Sequence, residues 1–171
     1  VRGIVLNIRD VSERRRLQQE LVHQAFHDSL TGLANRALFR DRVSHALALA
    51  RRQGRGITLV YLDLDDFKKV NDSLGHSEGD RLLQSAAERF LACARATDTV
   101  ARLGGDEFGI LLEDVYGHDG TAVLIDRLAS AMQSPFHLGH NEIHVSASFG
   151  IVSAAGDETA ELPLPPLPPV P

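Results

Sequence analysis

The sequence predicts an α/β (α+β) sandwich, a mostly antiparallel central sheet covered by helices, and three observations lead there. Residues 57–62, Ile-Thr-Leu-Val-Tyr-Leu, form a nearly continuous apolar run of the kind buried on both faces of a sheet, which makes them the central strand. Residues 99–103 and 108–112 are two further apolar runs joined through Gly104-Gly105-Asp106-Glu107, and adjacent glycines suit the positive φ angles of a tight hairpin turn. Between these strands, Leu82, Leu83, Ala86, Ala87, Phe90, Leu91 and Ala94 recur at helical spacing and mark the core face of a long helix.

Taken in order, residues 3–8 (Gly-Ile-Val-Leu-Asn-Ile) read as a short strand. Asp10 and Glu13 then have capping-box spacing, and a helix is expected to about residue 26 with Leu17, Leu21, Gln24 and Ala25 on one side. That stripe is either a solvated linker or a face that pairs with a second copy. A turn-rich stretch from Asp28 precedes a helix over 36–53, with Leu38, Phe39, Val43, Leu47 and Ala50 inward and Gly54 at its end. Beyond the central strand, Asp65 or Asp66 is placed to cap a short helix, and 71–76 reads as a turn. Ser77 and Asp80 have capping-box-like spacing at the start of the long helix, which is expected to reach about residue 95. A helix over about 121–133 and a hairpin of 136–138 with 143–151, turning at Gly139-His140-Asn141, complete the sheet. Six of the seven prolines lie in 162–171, so 156–171 is expected to be an extended, disordered tail.

At 171 residues, 43% of them hydrophobic, the chain has enough apolar material for one core plus flanking pieces. A formal charge of -5 argues against a general grip on nucleic acid, so a phosphate-bearing substrate would need metal ions or local Arg and Lys. The single cysteine, Cys93, reads as a small core residue and excludes an intrachain disulfide, which suits a reducing cytosol. The sequence has neither an apolar run of about 18 residues nor a signal-like start, so no membrane segment is expected here and the expected location is cytoplasmic. A start at Val1 rather than Met is expected of a fragment, whose parent could be membrane-anchored upstream.

Asp106 and Glu107 sit at the hairpin tip, and adjacent carboxylates on a glycine turn are either a solvated turn or a site for a hard cation. Asp63 bears on the choice, because a carboxylate still within a buried strand is costly without a partner. The strand order lets it lie beside the hairpin. Converging carboxylates repel one another unless they protonate or bind cations, and an all-oxygen set suits Mg²⁺. Carboxylates at strand ends that hold two metal ions are a recurrent device for displacing pyrophosphate from a nucleotide. The residues alone thus leave two readings open, an acidic surface turn, which is the commoner case, and metal-dependent nucleotidyl transfer.

Four motifs occur in order: Asp28-x-Leu30-Thr31-Gly32-Leu33-x-Asn35-Arg36; Asp63-Leu64-Asp65-x-Phe67-Lys68; Asn71-Asp72-x-x-Gly75-His76-x-x-Gly79-Asp80; and Gly104-Gly105-Asp106-Glu107-Phe108. Over about residues 28–151 the chain resembles the GGDEF domain of bacterial diguanylate cyclases. The resemblance implies a ferredoxin-like fold related to nucleotide cyclase and polymerase palm domains, and condensation of two GTP molecules to cyclic di-GMP with loss of two pyrophosphates. It implies that Asp63, the Leu64 carbonyl and Asp106 hold Mg²⁺ or Mn²⁺, that Asp106 accepts the ribose 3′-OH proton, and that Glu107 is the adjacent acid. Lys68 would stabilise transition-state charge beside the backbone N–H groups of Phe67 and Lys68. Asn71 and Asp80 would read guanine, with His76 as a further substrate contact. Arg95 and Asp98, with five residues between Asp98 and Gly104, resemble the family's RxxD inhibitory site for product; an i, i+3 salt bridge at a helix end is the plainer reading.

The resemblance divides the chain into 1–9, like the last strand of a PAS sensor domain; 10–27, like its signalling helix; 28–155, the GGDEF domain; and the tail 156–171. Family domains continue past the position of Ile151 with a helix, a last strand and basic residues for the triphosphate, so this domain is expected to be incomplete. The implied enzyme is a homodimer in which each domain holds one GTP. The alternative is an inactive module that binds GTP or cyclic di-GMP and regulates a partner such as an EAL phosphodiesterase domain.

Overall fold

The computed structural model describes residues 12–113 and 118–155. The strand expected over 3–8, the cap at Asp10 and the proline tail lie outside the described residues.

Helix α1 (Ser12–Phe26) leads through a turn to strand β1 (Ala34–Asn35), helix α2 (Arg36–Gln53) and strand β2 (Gly56–Leu64). Helices α3 (Phe67–Leu74) and α4 (His76–Cys93) precede the hairpin of β3 (Thr99–Gly104) and β4 (Glu107–Glu113). Helix α5 (His118–Gln133), a small hairpin of β5 (Phe136–Leu138) and β6 (Asn141–Ile143), and strand β7 (Ala147–Ala155) follow. The main sheet runs β1-β3-β4-β2-β7, antiparallel except where β1 lies parallel to β3. The hairpin β5-β6 stands apart from it.

Alternation along β2 explains its apolar sequence. Val60, Leu62 and Leu64 join the core under α4 and α5, with Leu82, Phe90, Phe108, Ile110 and Leu128, while Ile57 and Leu59 join the opposite core with Phe39, Val43 and Ala50 of α2. The strand feeds both layers, its buried Thr58 pairing with the Ser153 hydroxyl at 3.0 Å, and Asp63 is its first charged side chain. Across the first core, Phe90 and Phe108 pack edge to face with centroids 5.1 Å apart. Helix α2 begins at Asn35, whose side chain accepts from the Leu38 N–H, and ends at Gly54, whose φ of 63° supplies the left-handed cap.

Several expectations need correcting. Helix α3 runs through Asn71 to Leu74, so the turn before α4 is confined to Gly75. Neither Asp65 nor Asp66 caps α3: Asp66, at φ 60°, turns its carboxylate to Lys69 Nζ at 2.8 Å, and Asp65 accepts from Ser146 and Ser148. The cap expected of Ser77 and Asp80 is also absent, because α4 starts one residue earlier, at His76, on Gly75. The strand expected over 143–151 is two, β6 and β7, since His144 to Ser146 cross from the small hairpin to the main sheet. Leu91 is exposed, and Cys93, buried as expected, fills the end of the α4 stripe instead.

Candidate active site

The carboxyl end of β2 gathers the acids. Asp63 pairs in register with Glu107 of β4 on one side and Ser148 of β7 on the other, and the Leu64 N–H donates to the Asp106 carbonyl at 3.4 Å. Asp63 is exposed rather than buried, yet its carboxyl is pushed above the usual range, first by partial loss of water and then by repulsion from Asp106, Glu107 and Asp65. Asp65 behaves oppositely: hydroxyls of Ser146 (2.5 Å) and Ser148 (2.6 Å) favour its ionised form and hold its pKa down.

The turn that carries Asp106 is held from both sides. Gly105 adopts φ 53°, a conformation a side chain would strain, and its carbonyl accepts from Arg102 Nε (3.0 Å) and Nη2 (2.8 Å). Arg102 Nη1 also donates to both Asp28 oxygens, at 3.1 and 3.3 Å. Burial works against the Asp28 carboxylate, but hydrogen bonds from the Thr31 hydroxyl and N–H and from Arg102, together with the Arg102 charge, leave its pKa lowered. On the far side, Arg36 Nε donates to the Leu103 carbonyl (2.6 Å) and Nη2 to Glu107 (3.1 Å).

Helices α3 and α4 form a second cluster. Asn71 lies against Gly79, where a β-carbon would stand 1.9 Å from the Asn71 amide oxygen, so glycine is required for this approach. That oxygen is buried and has no partner among the described residues. Asp80 follows Gly79, His76 opens α4, and Lys68 lies in the first turn of α3; all three are exposed. A groove of about 490 Å³ borders Asp63 and Glu107, but on the α2 side of the sheet, and its lining includes no α3 or α4 residue. The structure thus couples Asp63, Asp106 and Glu107 to one another and Asn71 to the start of α4, as two clusters joined by the two residues between β2 and α3.

Arg95 and Asp98 lie beyond α4, at the opposite end of β3 from Gly104, roughly 20 Å of strand away. The i, i+3 salt bridge is not formed. Asp98 accepts instead from the Arg95 backbone N–H at 2.8 Å, and the Arg95 guanidinium has no partner among the described residues.

Among the described residues no three His, Cys, Asp or Glu side chains gather as a ready metal cage. A set of two carboxylates and one carbonyl, Asp63, Asp106 and Leu64, is nonetheless what a small hard cation uses when water and phosphate oxygens complete its shell. Loss of water raises the Asp63 carboxyl most, and the repulsion from Asp106, Glu107 and Asp65 that adds to it is what such a cation would relieve. The fit is chemical, with Asp63 exposed.

Asp28, Asn35 and Arg36 belong to the first sequence motif but had no expected role there, and Arg102 was not singled out. One signal was available: α2 has no acid in its first turn, where the helix dipole favours one, and begins with an arginine instead. A cation at that position needs a partner elsewhere.

The topology and the acid-tipped hairpin define a ferredoxin-like α/β domain with its site at the carboxyl end of the central strand. Residues 25–163 match the family described as "Diguanylate cyclase, GGDEF domain". The chain is 44% identical over 142 residues to the bifunctional diguanylate cyclase/cyclic di-GMP phosphodiesterase MucR of Pseudomonas aeruginosa, covering 83% of this chain and 21% of MucR. The solved GGDEF domain of TpbB from Pseudomonas aeruginosa superposes with a TM-score of 0.72 at 39% identity, covering 74% of each chain. The coiled coil and GGDEF domain of DgcB from Caulobacter crescentus, solved with cyclic di-GMP, gives 0.79 at 28% identity, covering 86% of this chain and 79% of that one. The chain belongs to the GGDEF family of diguanylate cyclase domains. No helix among the described residues is long and apolar enough to cross a membrane.

Proposed function

We propose that the chain is the catalytic domain of a diguanylate cyclase, condensing two GTP molecules to cyclic di-GMP and two pyrophosphates. The observation that carries this is the convergence at the end of β2 of Asp63, in register with Glu107, and Leu64, whose N–H meets the Asp106 carbonyl, in a chain of this family. Asp63, the Leu64 carbonyl and Asp106 hold Mg²⁺ or Mn²⁺, which when bound polarises the α-phosphate and makes the ribose 3′-OH easier to deprotonate. Asp106 takes the 3′-OH proton as the oxygen attacks the α-phosphorus, and the bond to the pyrophosphate oxygen breaks. Glu107 adds negative charge beside it.

The start of α3 supports the grip on phosphate. With the Asp66 carboxylate committed to Lys69, the side chain leaves the N–H groups of Phe67 and Lys68 uncapped, and Lys68 itself is exposed beside them. Asn71, packed on Gly79 at the start of α4, stands beside the exposed Asp80, and the two side chains would read guanine, with His76 as a further contact. Ring closure needs a second GTP on a facing domain, hence a homodimer; exposed Leu21 and Phe26 on α1 support pairing there. The free guanidinium of Arg95, with Asp98, supports a product site that slows the enzyme.

Asp106→Ala tests the reading directly. In the full-length parent, with products from labelled GTP and Mg²⁺ resolved by chromatography, it is expected to lower cyclic di-GMP formation by about a thousandfold or more while the circular dichroism spectrum is unchanged. Undiminished product from this variant would sink the assignment.

A further inference from the structure

Arg36 occupies the first position of α2, where the helix dipole disfavours a cation, yet its guanidinium is fixed there by two acceptors of the signature hairpin. Nε binds the Leu103 carbonyl at 2.6 Å and Nη2 binds Glu107 at 3.1 Å. Leu103 and Glu107 lie on opposite sides of the turn that carries Asp106, so one planar fork staples β3 to β4 across that turn. The preceding residue ties the same point to α1. Asn35 Nδ2 donates to the Ala25 carbonyl in the last turn of α1 (2.8 Å), while its Oδ1 accepts the Leu38 N–H (3.0 Å). We propose that Arg36 is a positioning residue, setting the Asp106 turn and passing to it the placement of α1 through Asn35. Arg36 touches no residue assigned to the substrate, so its action runs through Glu107 and the Leu103 carbonyl. The Asp28–Arg102 pair straps the same turn independently through the Gly105 carbonyl, which keeps the hairpin folded when Arg36 is replaced.

The catalytic consequence rests on the cyclase reading; the positional one does not. In hydrogen exchange on the full chain, Arg36→Ala is expected to speed amide exchange at residues 104–107 by about tenfold or more and leave the α4 amides as they are. Arg36→Lys, whose ammonium cannot span both acceptors, falls between. Asn35→Asp keeps the capping oxygen but loses the donor to Ala25, and loosens the same residues to a smaller extent. Where the parent chain turns over GTP, Arg36→Ala lowers kcat and leaves the KM for GTP unchanged. Hairpin exchange unaltered in Arg36→Ala, exchange raised equally throughout the chain, or a raised KM at constant kcat overturns the proposal. Should Arg36→Ala not fold, Arg36→Lys and Arg36→Gln carry the comparison, and parental exchange in both overturns it as well. A parent that makes no cyclic di-GMP counts against the cyclase reading, while the exchange measurement still decides the role of Arg36.

Discussion

Asp63 is a residue whose charge works against folding. Its pKa in the folded chain lies above the unfolded value of 3.8, so folding favours the protonated acid. The destabilisation is absent well below pH 3.8 and complete once the pH exceeds the raised value. Asp63→Asn is therefore expected to stabilise the chain at pH 7 by less than about 1 kcal/mol, since the side chain is exposed and screened, and to gain nothing at pH 3. Urea melts at the two pH values check this, and a variant weaker than its parent at pH 7 would refute it. The acids themselves were legible because each ends a local pattern, a strand or a glycine turn. Their partners were not: Arg36 reaches Glu107 across 71 residues, Arg102 reaches Asp28 across 74, and Ser148 reaches Asp65 across 83. Only the sheet brings such pairs together, so Asp65 read as a cap when it is tied to the loop before β7 and to β7 itself.

Helix α5 ends against an arginine from another helix. Arg89 of α4 donates to the carbonyls of Ala131 (2.9 Å), Ser134 (2.6 Å) and Pro135 (2.5 Å), and its guanidinium lies 3.6 Å from the centroid of the Phe136 ring. These carbonyls close the last turn of α5 and the loop after it, where the helix cannot supply its own donors. Arg89→Ala is expected to cost about 2–4 kcal/mol, because charged hydrogen bonds to partly buried carbonyls are lost together. Arg89→Lys should recover only part of that, a single ammonium being unable to meet three carbonyls. Thermal melts of the two variants check the order, and a loss below about 0.5 kcal/mol for alanine would show the cap to be idle. Elements with strong periodicity were legible in the same way: α2 was expected over the residues it occupies. Asn71, Asp72 and Ser73 read as a turn from their composition, yet packing of Asn71 on Gly79 holds them in α3. The single strand expected over 143–151 failed because Val145 continues the apolar pattern while its backbone leaves one sheet for the other.

The two faces of the sheet are covered unequally. Among the described residues, helices α4 and α5 pack on one, and α2 alone packs on the other. Across that second face Ala101, Gly109, Tyr61 and Gly150 lie in one row. Phe39 of α2 fills the space over Gly109, where a β-carbon would stand 2.9 Å from its ring, whereas Gly150 on the other side of Tyr61 is exposed. The groove of about 490 Å³ opens there, and the Tyr61 hydroxyl is buried without a partner among the described residues. Burial raises its pKa, with the Arg36 charge only partly offsetting the effect. A helix laid along β7, such as the resemblance implies after that strand, is expected to cover Val152 and the flank of Tyr61 and to bring an acceptor to the Tyr61 hydroxyl. Replacing residues 156–171 with a family-like helix and strand is expected to bury two or three large apolar side chains at about 1.5–3 kcal/mol each. At about 2–4 °C per kcal/mol for a chain of this size, the melting temperature should rise by roughly 6–36 °C. Tyr61→Phe distinguishes covering from mere lengthening. Removing an orphan hydroxyl leaves the present chain as stable or slightly more so, but costs about 1 kcal/mol once the hydroxyl has a partner. Equal melting temperatures for the two chains, with Tyr61→Phe neutral in both, would show that the added segment does not dock on this face.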